Sequence, residues 1–98
     1  ASMNIQEYCD ILNQEIQMIY YPNQNGRWSV SIKDTFIQKE GMEYFITGDD
    51  SSPERAINDY VRQIAGEVIG FRLDGKVFTF RVPSSLTGIS LKTEEAAK

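Results

Sequence analysis

The sequence predicts an α+β fold in the order α-β-β-β-α-β-β: a mainly antiparallel five-stranded sheet, one long helix over about residues 53–65 across a face, and a short N-terminal helix. Three observations carry this expectation. Residues 47–66 hold a start signal, a helical period and a stop signal. Several short runs alternate apolar and polar residues as half-buried strands do. Asp74-Gly75 stands between two such runs, where a two-residue hairpin of type I′ belongs.

The central helix has the plainest grammar. Ser51 lies three residues before Glu54, the spacing of a capping box, and Pro53 suits a first helical turn whose N–H groups need no intrahelical partner. Asp49, Asp50 and Glu54 set negative charge at the positive end of the helix dipole. Ala56, Ile57, Tyr60, Val61, Ile64 and Ala65 form one apolar stripe, and Gly66 occupies the place of a left-handed cap.

The remaining elements follow in chain order. Asn4 to about Gln14 reads as a helix capped by Asn4, with Ile5, Tyr8, Cys9 and Leu12 on one face. Residues 16–21 read as a strand with both faces at least partly covered, and Pro22 to Gly26 as a turn. A second strand is expected over 27–35, with Trp28, Val30 and Ile32 facing in. Phe36 and Ile37 break its alternation, which places a bulge or a strand end nearby. A third strand is expected over 42–47, a polar turn over 48–52, and two more strands over 67–72 and 77–82. Gly70 marks a bulge or a close backbone approach. The domain is therefore set at residues 3–83, with 84–98 as a polar, flexible tail. Ala1-Ser2 before Met3 reads as the remnant of a tag.

Composition narrows the function. Ninety-eight residues allow one modest core, and 41% apolar with 24% charged residues is ordinary for a folded chain. A net charge of −4 leads us to expect no nucleic-acid partner, since a phosphate backbone calls for a basic face. No apolar run reaches the ~20 residues of a membrane span and no signal peptide is seen, so a cytoplasmic protein is expected. A single cysteine, Cys9, fits a reducing compartment and reads as a buried spacer. The chain has no histidine, so the commonest general base and metal ligand is missing. Asp49, Asp50, Glu54 and Asp59 are explained by capping and helix-surface pairing. We therefore expect no enzyme, no metal and no cofactor.

Binding is the better expectation. Arg27-Trp28 sets a guanidinium beside an aromatic plane at the start of a strand. Arg72, Lys76 and Arg81 fall on the 67–82 hairpin, where Arg72 and Lys76 are expected close together and interleaved with Phe71, Phe78 and Phe80. Arginine plus an aromatic face suits a nucleotide, with a fork for phosphate and a plane for the base. The plainer reading of the same residues is a charged hairpin edge that deters sheet-to-sheet pairing, with Trp28 in the core. One helix stripe cannot cover aromatics on both sides of five strands, so a homo-oligomer is expected.

Two resemblances sharpen these expectations. The strands ahead of Thr47-Gly48, followed by Ser52-Pro53-Glu54-Arg55-Ala56-Ile57 on a helix, resemble the HicB-type antitoxin module over roughly residues 27–65. That resemblance implies a protein-interaction module, antitoxin or adaptor, that masks a protein partner. Ser52-Pro53, Ala56-Ile57, Asp59-Tyr60, Ile64, Gly66 and Val68-Ile69-Gly70-Phe71, with Val82-Pro83 and Arg27-Trp28, are similar to the phage-encoded Thoeris anti-defence sponges of the first type. This second resemblance implies a phage protein that sequesters a cyclic nucleotide or cyclic ADP-ribose-type immune signal without cleaving it. The ligand would sit between protomers, on arginines and an aromatic. Arg27, Trp28, Arg72, Lys76 and Arg81 are the candidate ligand residues.

Overall fold

The computed structural model describes residues 3–88 and contains two helices and two antiparallel sheets, so the α+β class holds while the expected single five-stranded sheet does not. The order is α1 (Ile5–Leu12), β1 (Ile16–Tyr21), a 3-10 turn (Pro22–Gln24), β2 (Arg27–Ile32), β3 (Thr35–Lys39), β4 (Met42–Tyr44), β5 (Gly48–Asp50), α2 (Pro53–Ile64), β6 (Val68–Leu73) and β7 (Lys76–Arg81). The first sheet runs β1-β2-β5 and the second β4-β3-β6-β7.

The division comes from two places where one expected strand is in fact two. The run expected over 27–35 breaks at Lys33-Asp34, where Asp34 takes the left-handed conformation (φ 59°). Thr35 then donates its hydroxyl to the Ile32 carbonyl at 2.7 Å, closing the turn. The interrupted alternation at Phe36-Ile37 is thus the start of β3 in the other sheet. The run expected over 42–47 ends at Tyr44, and the residues read as a polar turn, Gly48 to Asp50, pair with Val30, Ser29 and Trp28 as β5. Acidic side chains hid this strand, because Asp49 and Asp50 are poor strand formers by composition.

Helix α2 is also shorter than expected, twelve residues ending at Ile64. Its cap is Ser52 rather than Ser51: the Ser52 hydroxyl accepts from the Arg55 N–H at 3.2 Å. Ala56, Ile57, Tyr60, Val61 and Ile64 are buried, whereas Ala65 lies half-buried at the C-cap, and Gly66 follows at φ +80°. In α1, Asn4 and Glu7 form a reciprocal capping box, and Ile5, Tyr8, Cys9 and Leu12 are buried. The Asp74-Gly75 turn has both residues at positive φ, as type I′ requires.

One core joins both sheets and both helices. Val30 and Ile32 from the first sheet meet Ile37 and Ile69 from the second, together with the α1 and α2 stripes. The tightest contact in it is at Gly48. A Cβ built there would overlap the Ala56 carbonyl oxygen and the Tyr60 nitrogen, and would lie 2.6 Å from the Tyr60 Cβ. Only a glycine lets β5 lie this close under α2. Polar bonds hold the pair together. Asp59 accepts from the Asp49 N–H at 3.1 Å, and Gln63 donates to the Thr47 carbonyl at 2.8 Å and to Asp59 at 3.1 Å.

Two further expectations are corrected. Strand β1 is not covered on both faces; Met18, Ile19, Tyr20 and Tyr21 are all exposed. The chain also stays attached beyond Pro83. Leu86 is buried in the core, and the Thr87 carbonyl accepts from the Ile5 N–H at 2.9 Å. The remainder of the segment expected as a tail, 89–98, lies outside the described residues. At Gly70 the register runs through without a bulge; a Cβ there would meet the Phe36 ring at 2.9 Å and the Phe78 carbonyl oxygen at 3.3 Å, so a ring as well as a backbone approaches closely.

The packing at Gly48 generates a direct test. Gly48→Ala should lower stability by about 3 kcal/mol, because both obstacles are main-chain atoms that cannot move singly. Gly41→Ala, where a Cβ meets nothing within 4 Å but φ is +76°, should cost about 1 kcal/mol. Urea unfolding of the two variants measures the difference; equal losses would contradict this account of the helix–strand contact.

Candidate functional site

The candidate residues do not converge. Arg27 and Trp28 begin β2 in the first sheet, whereas Arg72, Lys76 and Arg81 belong to the second. Trp28 is half-buried against the core and packs on Tyr20, its cross-strand neighbour, with ring centroids 4.9 Å apart. Arg27 is exposed. Near it, Asp50 accepts from the Ser51 N–H at 2.6 Å, which holds its carboxyl below the ordinary range, with Arg55 and Arg27 adding to the effect.

The hairpin separates its three cations by strand geometry. Arg72 pairs with Val77, and Leu73 with Lys76, so the Arg72 and Lys76 side chains leave opposite faces of the sheet. Their expected proximity is therefore corrected. Arg81 pairs with Val68 at the other end of the hairpin, about 17 Å from Lys76 at strand rise. There it donates to the Gly66 carbonyl at 2.9 Å, tying the hairpin to the end of α2. Phe71, Phe78 and Phe80 stack on the Lys76 face, with centroids 5.8 and 5.9 Å apart. They do not interleave with Arg72.

Arg72 instead has its own aromatic setting, which the sequence did not reveal. Its guanidinium lies 5.2 Å from the centroid of the Phe36 ring, the geometry of a cation–π contact. Phe36 reaches this position because Gly70, its cross-strand neighbour, has no side chain to displace it. Phe45 meets Phe36 edge-on at 5.6 Å and is 70% exposed, the most exposed large apolar side chain among the described residues. Glu43, on the neighbouring β4, accepts from Arg72 at 2.6 Å. Asp34, Phe45 and Arg72 line an open cleft of about 280 Å³ beside this cluster.

The cluster offers a fork of donors, an exposed aromatic plane and a carboxylate within one corner. Phe36, Phe45, Glu43 and Asp34 were missed because the corner depends on β3 and β4 being a separate hairpin beside β6. Phe36 out of alternation was the one signal available. Among the described residues there is no group of three or more His, Cys, Asp or Glu placed to hold a metal ion. No helix among them is long and apolar enough to cross a membrane. No protein-family model, curated protein or solved structure matches the chain. The two resemblances noted above therefore rest on the sequence alone.

The buried titratable groups lie away from this corner. Burial, with a smaller contribution from Asp10, pushes the Cys9 thiol up to about 11. Burial also raises Tyr60, against the opposing hydrogen bonds of Thr35 and Ile32, and raises Tyr8, whose hydroxyl is buried without a partner. All three hold their protons more tightly folded than unfolded. Asp50, held low in the folded state, makes stability fall as pH drops through the carboxylate range. The three buried groups instead add no pH dependence in the neutral range and make stability fall as pH rises from about 9 toward 11, because the unfolded chain ionises first. Denaturant midpoints measured across that range should show the decline, with a shallower slope in Cys9→Ala. At pH 8 a thiol reagent should label the protein only on unfolding.

Proposed function

We propose that this chain is a non-enzymatic binding protein that sequesters a small nucleotide-type signal, in the manner of the anti-defence sponges its sequence is similar to, and that it works as a homo-oligomer in the cytoplasm of a bacterial host. One observation carries the ligand site: the Arg72 guanidinium over Phe36, beside the exposed Phe45, at the mouth of the cleft lined by Asp34. A phosphate displaces Glu43 from the Arg72 fork, a base stacks on Phe45, and Asp34 accepts from ribose or base donors. Arg27 and Trp28 lie on the other sheet and Lys76 on the opposite face, so these three take no part in this contact.

A second reading, a module that masks a protein partner as the HicB resemblance implies, draws on a different surface. Leu73, Phe78 and Phe80 are exposed on the Lys76 face of the hairpin, an apolar patch of the kind protein partners cover.

Native mass spectrometry with cyclic mononucleotides, cyclic dinucleotides and cyclic ADP-ribose isomers separates the two. The sponge reading expects an intact nucleotide mass retained by the protein. Arg72→Ala and Phe45→Ala should each weaken retention about tenfold or more, while Lys76→Ala and Arg81→Ala should not. Glu43→Gln should strengthen it by removing the competing carboxylate. A protein that retains nothing from the panel overturns the nucleotide reading and leaves the masking module.

A further inference from the structure

We infer that the outer edge of β1 pairs with the same edge of a second copy, joining two three-stranded sheets into one continuous six-stranded sheet. This rests on the homo-oligomer reading but not on the nucleotide.

The four sheet edges differ in what they present. β4 and β5 are three residues long, and carry Glu43 and Asp49-Asp50 respectively. β7 is six residues long but has Lys76 and Arg81 at its ends. β1, Ile-Gln-Met-Ile-Tyr-Tyr, is also six residues long and has no charge, no proline and no bulge in its register with β2. Five of its six residues are exposed, including Met18, Ile19, Tyr20 and Tyr21. Charged residues, short strands and bulges are how an edge is protected from pairing, and β1 has none of them.

The hydrogen-bond phase fixes how two such edges fit. The Lys33 N–H donates to the Glu15 carbonyl at 2.8 Å, in register with the β1–β2 ladder. Antiparallel ladders alternate, so Gln17, Ile19 and Tyr21 bond inward to β2, and Ile16, Met18 and Tyr20 turn their N–H and C=O groups outward. A two-fold axis at Met18 sets Met18 opposite Met18 of the second copy, and Ile16 opposite Tyr20 on either side. Every outward residue is then used, in three pairs of two backbone hydrogen bonds each. Met18, Ile16 and Tyr20 meet on the face where Tyr20 packs on Trp28. On the other face, Glu15 of one copy falls opposite Tyr21 of the other, whose own neighbour is Arg27, so opposite charges flank the seam.

The same construction on β7 is unfavourable. Its outward residues are Val77, Thr79 and Arg81, because the two-residue turn makes Leu73 and Lys76 a bonded pair. An axis at Thr79 would set Arg81, which already holds the Gly66 carbonyl, opposite Val77 of the other copy at both ends, so each outer pair of that seam carries a charge that β1 lacks.

Sedimentation velocity on the full chain, with cysteine scanning of β1, tests this. The protein should sediment as a dimer or an even-numbered assembly of dimers. Met18→Arg, which sets two cations on the axis, should halve the mass while far-UV circular dichroism stays unchanged; Thr79→Arg should not change the mass. Under oxidation Met18→Cys should cross-link between copies, since paired Cα atoms about 5.5 Å apart suit a disulfide, whereas Gln17→Cys and Ile19→Cys should stay uncross-linked. A monomer at 100 µM (on the order of usual assay concentrations) overturns both this inference and the oligomer reading. An oligomer that survives Met18→Arg with no Met18→Cys cross-link overturns the β1 pairing alone.

Discussion

The fold depends on how closely α2 lies on β5. At Gly48 the helix backbone and the strand backbone are in direct contact, with no side chain between them. Such an approach leaves the strand no choice of position, and two bonds, Asp49 N–H to Asp59 and Gln63 to the Thr47 carbonyl, fix its height along the helix, with Gln63 also steadying Asp59. Because β5 is held there, it completes the β1-β2 ladder at Trp28, Ser29 and Val30 instead of extending β4. The placement of β5 in the first sheet therefore follows from one glycine and one helix face, while the Asp34 turn sends β3 to the second. Asp59, which on the sequence alone is a surface partner for Arg62, serves as a main-chain acceptor as well as an ion-pair member.

Tyr60 connects this contact to the other sheet. It sits under Gly48 on the helix, and its hydroxyl lies 3.3 Å from the Thr35 hydroxyl, at the turn where the chain leaves the first sheet. The Thr35 hydroxyl in turn bonds the Ile32 carbonyl. A buried aromatic with a satisfied polar end marks the crossover, so a shift of α2 along β5 would break the Tyr60–Thr35 contact inside the core as well as open the packing, while Thr35 keeps its bond to Ile32. That coupling explains why Ile32 and Ile37, five residues apart in sequence but in different sheets, belong to one core.

What the sequence revealed was local, and what it concealed was the assignment of strands to sheets. The α1 capping box, the α2 stripe from Ala56 to Ile64, Gly66 at positive φ and the Asp74-Gly75 turn are all encoded within a few neighbouring residues, and each was legible. Asp34 in the left-handed region was not, because Lys33-Asp34 carries no glycine or proline to punctuate the run. Nor was β5, whose partner β2 lies about twenty residues away and whose acidic composition reads as a cap. The candidate cations suffered for the same reason: Arg72 and Lys76 looked adjacent in one dimension, but a strand alternates its faces, and a one-residue change of register moves every side chain across the sheet. The Arg72 corner needs β3, β4 and β6 placed together before it exists at all.

The distribution of charge supports reading this surface in terms of contacts. The acidic residues that give the chain its net charge include Asp49, Asp50 and Glu54 at the N-terminal end of α2, and Asp59 on its outer face. They protect the β5 edge and leave β1 bare. Three of the arginines are engaged close by: Arg81 on the Gly66 carbonyl, Arg62 on Asp59, and Arg72 on Glu43 over Phe36. Of these, Arg72 differs because its counter-ion is a half-exposed carboxylate that a phosphate can replace, whereas Arg81 holds a main-chain oxygen that would be left without its bond. Replacing one anion by another costs the fold little, but removing a structural donor does not. On that ground the site proposed above falls on Arg72 rather than on Arg81 of the same hairpin.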